Sequence, residues 1–139
     1  MVEDRDLHMQ IGEVAQRTEL SIRTVRHYDD VGLVTPSARS VGGFRLYTET
    51  DVERLLVIRR MKPLDFTLAE MKQLLESLDT LSDGASDRSS DDDARASAAA
   101  FVRQCHAKAE ESCNNLRRQL AYAEELTELL STRGAAAQI

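Results

Sequence analysis

Residues 20–47 read LSIRTVRHYDDVGLVTPSARSVGGFRLY, and this stretch decides the fold. Ser21 is a good helix N-cap because its hydroxyl can accept from an early unpaired amide, and Gly32 suits the left-handed position that ends a helix. Between them Ile22, Val25 and Tyr28 recur every three residues, so they are expected to face a core. That spacing leaves Arg23, Thr24, Arg26 and His27 toward solvent or a ligand. A helix showing two arginines, a hydroxyl and an imidazole can read a phosphate-lined groove.

Working outward, Gln10–Leu20 (QIGEVAQRTEL) carries apolar residues at Ile11, Val14 and Ala15, a stripe that predicts a short helix packed on its neighbour. Two short helices joined by a tight turn make a helix-turn-helix, whose second helix enters the DNA major groove. After Pro36, the run Arg39–Tyr47 alternates about Gly42-Gly43, a pair that tolerates hairpin-turn angles, and predicts a basic β-hairpin wing.

These motifs together resemble the DNA-binding domain of MerR-family transcription regulators. An IGEVA-like first helix is matched by Ile11–Ala15, T-V-R-x-Y-(D/E) by Thr24–Asp29, G-L-V-x-P by Gly32–Pro36, and R-x-x-x-G-(Y/F)-R-x-Y by Arg39–Tyr47. The resemblance implies that Arg26 lies near base edges or phosphates and that Arg23, Thr24 and His27 set sequence preference. It leaves Tyr28 open between core and DNA contact. It also implies that Arg39, Arg45 and Tyr47 grip the DNA backbone, with Phe44 standing where tyrosine is commoner.

Downstream, Thr48 followed by Asp51 marks a helix start, with Val52, Leu55 and Leu56 on its buried face and an end near Met61. Pro63 ends or bends that helix. Phe66-Thr67-Leu68-Ala69-Glu70-Met71 is a complete helix-entry signal, Thr67 capping, Glu70 closing the box and Phe66 stapling onto Met71. The resembling family typically carries glycine where this chain has Asp65, which puts the geometry of this hinge in question.

From Ser82 to Ser97 no apolar side chain exceeds alanine, which predicts an acidic, flexible linker. Its aspartates lack the spacing of a calcium-binding loop. Ala98–Thr132 contains no glycine or proline and predicts one long helix. Val102, Ala109, Leu116, Ala123 and Leu130 repeat at seven, with Cys105, Cys113, Leu120 and Leu126 at or beside the intermediate positions. A lone helix cannot bury such a stripe, so a partner is required; the resemblance makes that partner a second copy, paired antiparallel. The expected organisation is a mainly α chain. It has a disordered N-terminus (1–8), a winged helix-turn-helix domain with a small hairpin wing (9–81), the linker (82–97), a dimerising coiled-coil helix (98–132) and a tail (133–139).

The chain has 139 residues, 42% of them hydrophobic and 4% aromatic, which suits one modest domain plus an accessory element. A net charge of −6 argues against nucleic-acid binding as a whole-molecule property. Its distribution does not: Arg17–Arg60 holds eight arginines against six acids, whereas Leu78–Ser97 holds six aspartates against two arginines. Affinity for DNA must therefore come from local contacts contributed by two subunits. No run reaches the roughly 20 apolar residues a bilayer requires, and the N-terminus lacks a signal-peptide pattern, so a cytoplasmic location with reduced cysteines is expected.

His8, His27 and His106 form no catalytic or metal-binding spacing, and no nucleophile stands beside a base, so an enzyme is not expected. Cys105 and Cys113 differ by about 12 Å in rise along a helix, too far to share one metal ion or form a disulfide within one chain. Structural packing, a redox or electrophile-sensing role and an inter-subunit metal all remain open for them. No metal, cofactor or metal-binding loop after the helix is expected, and the effector is unknown. The reading is a homodimeric regulator that binds a promoter inverted repeat and distorts it when an effector binds, reaching RNA polymerase only indirectly. The alternative is an effector-independent repressor or an excisionase-like architectural protein.

Overall fold

The computed structural model describes residues 8–82 and 89–137. The elements in order are β1 (Met9–Gln10), α1 (Ile11–Thr18), α2 (Ile22–Asp30), β2 (Ala38–Arg39), β3 (Arg45–Tyr47), α3 (Glu49–Met61), a 3₁₀ turn (Lys62–Leu64), α4 (Leu68–Ser82) and α5 (Ser89–Ala137). The strands form one antiparallel sheet in the order β1-β3-β2, with Met9 opposite Tyr47, Gln10 opposite Leu46, Ala38 opposite Leu46 and Arg39 opposite Arg45. The hairpin wing is therefore a three-stranded sheet, because the segment before α1 pairs with β3.

Three helix starts are fixed by side chains. The Ser21 hydroxyl accepts from the Thr24 amide at 3.0 Å. Thr48 and Asp51 form a reciprocal box, with the Asp51 amide donating to Thr48 at 3.2 Å and the Thr48 amide donating to the Asp51 carboxylate at 2.9 Å. Thr67 and Glu70 repeat the device at 3.1 and 2.9 Å. Each box satisfies amides that helix geometry leaves unpaired. Asp51 is buried, and Ser37 donates to it at 2.7 Å, tying the loop before the wing to the start of α3.

The core gathers Met9, Val14, Val25, Tyr28, Leu33, Val34 and Tyr47 with Val52, Leu55, Ile58 and Met61 of α3, then Phe66, Met71, Leu75 and Cys105. Ile22, expected inside, is 39% exposed, since the first turn of α2 stands clear of the other helices. Arg17 joins α1 to α3 through both oxygens of Glu49, at 2.8 and 2.5 Å. Arg59 donates to the Thr18 carbonyl at the end of α1 at 2.7 Å. The α1–α2 turn is made by Glu19 at φ 61.

Two boundaries differ from expectation. Of the linker expected over 82–97, residues 83–88 lie outside the described residues, but α5 already runs from Ser89. Its first turns are held: Ala98 is buried, and Arg95 donates to the carbonyls of Thr80 and Leu81 at 3.2 and 3.3 Å, capping the end of α4. An alanine-rich segment so anchored has no reason to unwind. At the other end the expected tail is helical as far as Ala137 and passes through Gly134, because a single glycine costs only about 1 kcal/mol and the alanines after it are the best helix formers. The expected disorder of residues 1–8 falls almost wholly outside the described residues.

The turn between α3 and α4 resolves the question of Asp65. Its φ is 67°, the left-handed region in which glycine is the usual residue and aspartate is among the few tolerated substitutes. Lys108 of α5 reinforces it, donating to the Asp65 carbonyl at 3.1 Å and to Glu70 at 2.9 Å while lying 4.6 Å from the centre of the Phe66 ring. The ammonium holds the Glu70 carboxyl below its usual range.

Two outcomes are expected from equilibrium unfolding in urea. Asp65→Val should lose about 1–2 kcal/mol while Asp65→Gly stays within about 1 kcal/mol of the parent; a valine variant as stable as the parent would contradict the strained-turn account. Tyr47 is fully buried and its hydroxyl has no partner among the described residues, and burial pushes its pKa up to about 12. An acid whose folded pKa is raised contributes stability below its unfolded pKa of about 10 and loses it as pH rises toward 12. Tyr47→Phe should therefore match or exceed the parent at neutral pH and show a shallower loss of stability between those pH values.

Candidate nucleic-acid interface

The exposed face of α2 is the only one of its faces not committed to the core. Val25 and Tyr28 turn inward, 0% and 3% exposed, while Arg23, Arg26 and His27 are exposed. Neither arginine makes an ion pair or hydrogen bond among the described residues. Thr24 is half-buried, and its hydroxyl accepts from Ser21 at 2.9 Å. Of the five α2 residues expected to meet DNA, the structure brings Arg23, Arg26 and His27 together as free cationic and polar groups. It assigns the Tyr28 side chain to the core, where burial raises its pKa. The fold needs an apolar body at that point to fill the angle between α2 and the loop after it, and the Leu33 and Val34 amides close that loop on the Tyr28 carbonyl at 2.8 and 3.2 Å.

The wing stands beside this helix. Its tip turns through Gly43 at φ 86, with the Ser40 amide donating to the Phe44 carbonyl at 2.9 Å and the Phe44 amide to the Ser40 hydroxyl at 3.1 Å. Gly42 is also constrained, since a Cβ there would lie 3.1 Å from the Phe44 ring. Phe44 is 66% exposed, and Val41 projects fully into solvent. Tyr47, expected to grip the DNA backbone, instead sits wholly inside the core: it pairs with Met9 in the sheet, and the strand's alternation turns it inward.

The residue that sequence reasoning missed is Asp29. Arg39 and Arg45 face one another across the β2–β3 ladder, where like charges repel. The Asp29 carboxylate, only 12% exposed, lies between them. Arg45 donates to it through Nε at 2.6 Å and Arg39 through Nη2 at 3.4 Å, and a looser contact runs from Arg45 to Asp30 at 3.7 Å. The bond to Asp29 raises the Arg45 pKa above its ordinary value. Arg39 also donates to the Gly43 carbonyl at 3.2 Å, bracing the turn. Asp29 was visible only as the acid ending T-V-R-x-Y-(D/E), and nothing in its spacing announced that it would reach across to the wing.

The residues expected at a subunit interface divide into two groups. Cys105 is buried in the chain's own core, and burial raises its thiol pKa. Val102 and Ala109 are half-buried beside it, lining a cleft of about 300 Å³ with Met61, Leu64, Phe66 and Leu74. These three positions pack against the DNA-binding domain of their own chain, because the first half of α5 lies along α4. From Cys113 onward every described residue of α5 is exposed, including Leu116, Leu120, Ala123, Leu126 and Leu130. Among the described residues no group of three or more His, Cys, Asp or Glu is arranged to hold a metal ion. No described helix is long and apolar enough to cross a membrane.

Comparison with known proteins bears on the same elements. The MerR HTH family regulatory protein family matches residues 9–78. An uncharacterised HTH-type transcriptional regulator of Pseudomonas aeruginosa is 38% identical over 103 residues, 74% of this chain and 74% of its own length. The HTH-type transcriptional activator mta of Bacillus subtilis is 43% identical over 67 residues, 48% of this chain but 26% of that protein. The chain spans only a quarter to a half of the length of several such relatives. Among solved structures, the transcription regulator PbrR691 from Ralstonia metallidurans, in complex with lead(II), superposes with a TM-score of 0.53 at 36% identity, covering 87% of this chain and 84% of that one. With the helix-turn-helix, the wing and the helices that follow all accounted for, the chain belongs to the MerR family of helix-turn-helix, DNA-binding transcription regulators.

Proposed function

We propose that this protein acts as a homodimer that binds a promoter inverted repeat, reading bases through α2 and holding the backbone with the wing, and that it distorts the DNA between half-sites in response to an effector. The observation that carries the reading is the pairing of an exposed face, the cationic Arg23 and Arg26 with the His27 imidazole, with a wing fixed to the same helix through Asp29. Helix and wing then move as one unit. An arginine at a base edge or phosphate contributes both charge and a planar donor fork.

Within this reading Arg23 and Arg26 make the primary contacts. Arg39 and Arg45 present their remaining donors to phosphates while Asp29 fixes their direction. Thr24 positions the N-terminus of α2, Tyr28 and Tyr47 support it from inside, and Phe44 meets the backbone through apolar contact. The solvent-exposed half of α5 supplies the second subunit, since a bare leucine stripe on a long helix is stable only when covered. RNA polymerase is reached through the DNA. Lead binding belongs to the Ralstonia protein and is not carried over, because Cys105 is buried and Cys113 stands apart from it on the same helix.

Three expected outcomes follow. In gel-shift titrations against the protein's own upstream DNA at one fixed salt concentration, Arg26→Ala should lose about 1–3 kcal/mol of binding free energy with the fold retained. Asp29→Asn should also weaken binding, although it removes a negative charge facing the DNA. Tighter binding by that variant would show that the carboxylate only repels phosphate and does not position the wing. For the dimer, truncation after Ser112 keeps the part of α5 that packs on α4 and removes the exposed stripe. It should sediment as a folded monomer with weakened affinity for a full operator; a truncated protein still dimeric at micromolar concentration would place the interface elsewhere.

A further inference from the structure

The cleft of about 300 Å³ beside Cys105 opens where the end of α3, the 3₁₀ turn, α4 and α5 meet. Val57 and Met61 line it from α3, Leu64 from the turn, Leu74 from α4 and Val102 from α5. The Cys105 thiol among them is buried, and burial favours its uncharged form. Interiors of small domains pack densely and leave few voids larger than a water molecule. Ala109 helps to keep this one open, since α5 presents only a methyl group there while the same stripe carries Val102 before it and Leu116 after it.

The polar edge of the cleft offers donors and no negative charge. Of the three arginines on α3, Arg54 pairs with Asp79 at 2.7 Å and Arg59 donates to the Thr18 carbonyl at 2.7 Å. Arg60, which lines the cleft, is exposed and makes no ion pair or hydrogen bond among the described residues. His106 reaches the same cleft from α5. Its approach to Glu110, 3.7 Å, is too long for a hydrogen bond, so a ring N–H is available. Among the described residues no carboxylate lines the cleft.

We propose that this cleft is the effector site of the regulator described above, and that it takes a compact apolar molecule carrying one anionic group, a carboxylate or sulfonate on an aromatic or short alkyl body. The volume lies at the lower end of small-molecule sites, which run from about 300 to 1,000 Å³. The apolar body displaces water from apolar walls. Arg60 meets the anion with a planar donor fork, and His106 adds a further donor. A cationic ligand would face Arg60 with no carboxylate to offset it, and a neutral one would leave that arginine unused.

The position suits regulation. The Leu64 carbonyl accepts from Ser112 of α5 at 3.4 Å, and the Asp65 carbonyl accepts from Lys108 of α5 at 3.1 Å. A ligand seated between Leu64 and Val102 bears on these contacts between α5 and the turn, and its affinity then differs between arrangements of the two.

Methyl NMR of the full-length protein, labelled at Leu, Val and Met, tests the site with two probes. One is anilinonaphthalene sulfonate; the other is phenylnaphthylamine, which keeps the apolar body and lacks the anion. The sulfonate should shift the methyls of Met61, Leu64, Leu74 and Val102 and saturate at one probe per chain. Arg60→Gln, a change at an exposed position, should weaken the sulfonate about tenfold or more and leave the neutral probe unchanged. Ala109→Phe, which fills the cleft, should abolish both sets of shifts. Shifts confined to Leu116, Leu120 and Leu130, equal loss of both probes in Arg60→Gln, or no binding because a second copy closes the cleft would each overturn the proposal. Footprinting on the upstream DNA separates this inference from the reading beneath it. The sulfonate should add cleavage-hypersensitive positions between the half-sites. A filled cleft with an unchanged footprint refutes the effector role alone, whereas the absence of any protected inverted repeat refutes the promoter-binding homodimer whatever the cleft holds.

Discussion

A single carboxylate governs how the wing is set against the exposed face of α2. Asp29 ends the exposed face of α2 and is nearly buried, yet two wing arginines that would otherwise repel across the β ladder converge on it. Charge-assisted hydrogen bonds of this kind are shorter and stronger than neutral ones, and a guanidinium held through Nε keeps its other nitrogens directed outward. The contact therefore stabilises the sheet and aims it. Without it, only sheet pairing with β1 and the burial of Tyr47 would hold the wing to the domain, and the arginines of α2 and of the wing would keep no direct tie to one another.

A second tie, at the opposite end of the domain, links the helix-turn-helix and wing to α5. Lys108 reaches from α5 to the strained turn at Asp65 and to Glu70, and Ser112 donates to the Leu64 carbonyl at 3.4 Å. The surface ion pair alone contributes little. Its location matters more than its strength, because the turn it braces sets the angle between α3 and α4. A displacement of α5 would therefore reach this turn first and then, through the packed faces of α3, the sheet carrying the wing.

Much of this was legible in the sequence wherever a short-range rule applied. The caps at Ser21, Thr48 and Thr67, the break at Pro63 and the positive φ of Gly32 and Gly43 each follow from one or two neighbouring residues. What stayed hidden depended on distant partners. The strand at Met9–Gln10 exists because β3 offers it an edge, and residues 89–97 are helical because Arg95 and Ala98 find α4. The seven-residue repeat of α5 identified an apolar stripe without revealing that its first half packs within the chain and its second half does not. Tyr28 and Tyr47 matched a DNA-binding motif by residue type, but a motif does not distinguish a tyrosine that touches the ligand from one that supports the element doing so.

The central claim is that two copies of one rigid helix-and-wing unit read two halves of one site. Footprinting of the full-length protein on its own upstream DNA tests this most directly. The account predicts protection of an inverted repeat, two equivalent patches separated by whole helical turns and appearing together as protein is added. Protection of one isolated patch, or of two that fill independently, would contradict it.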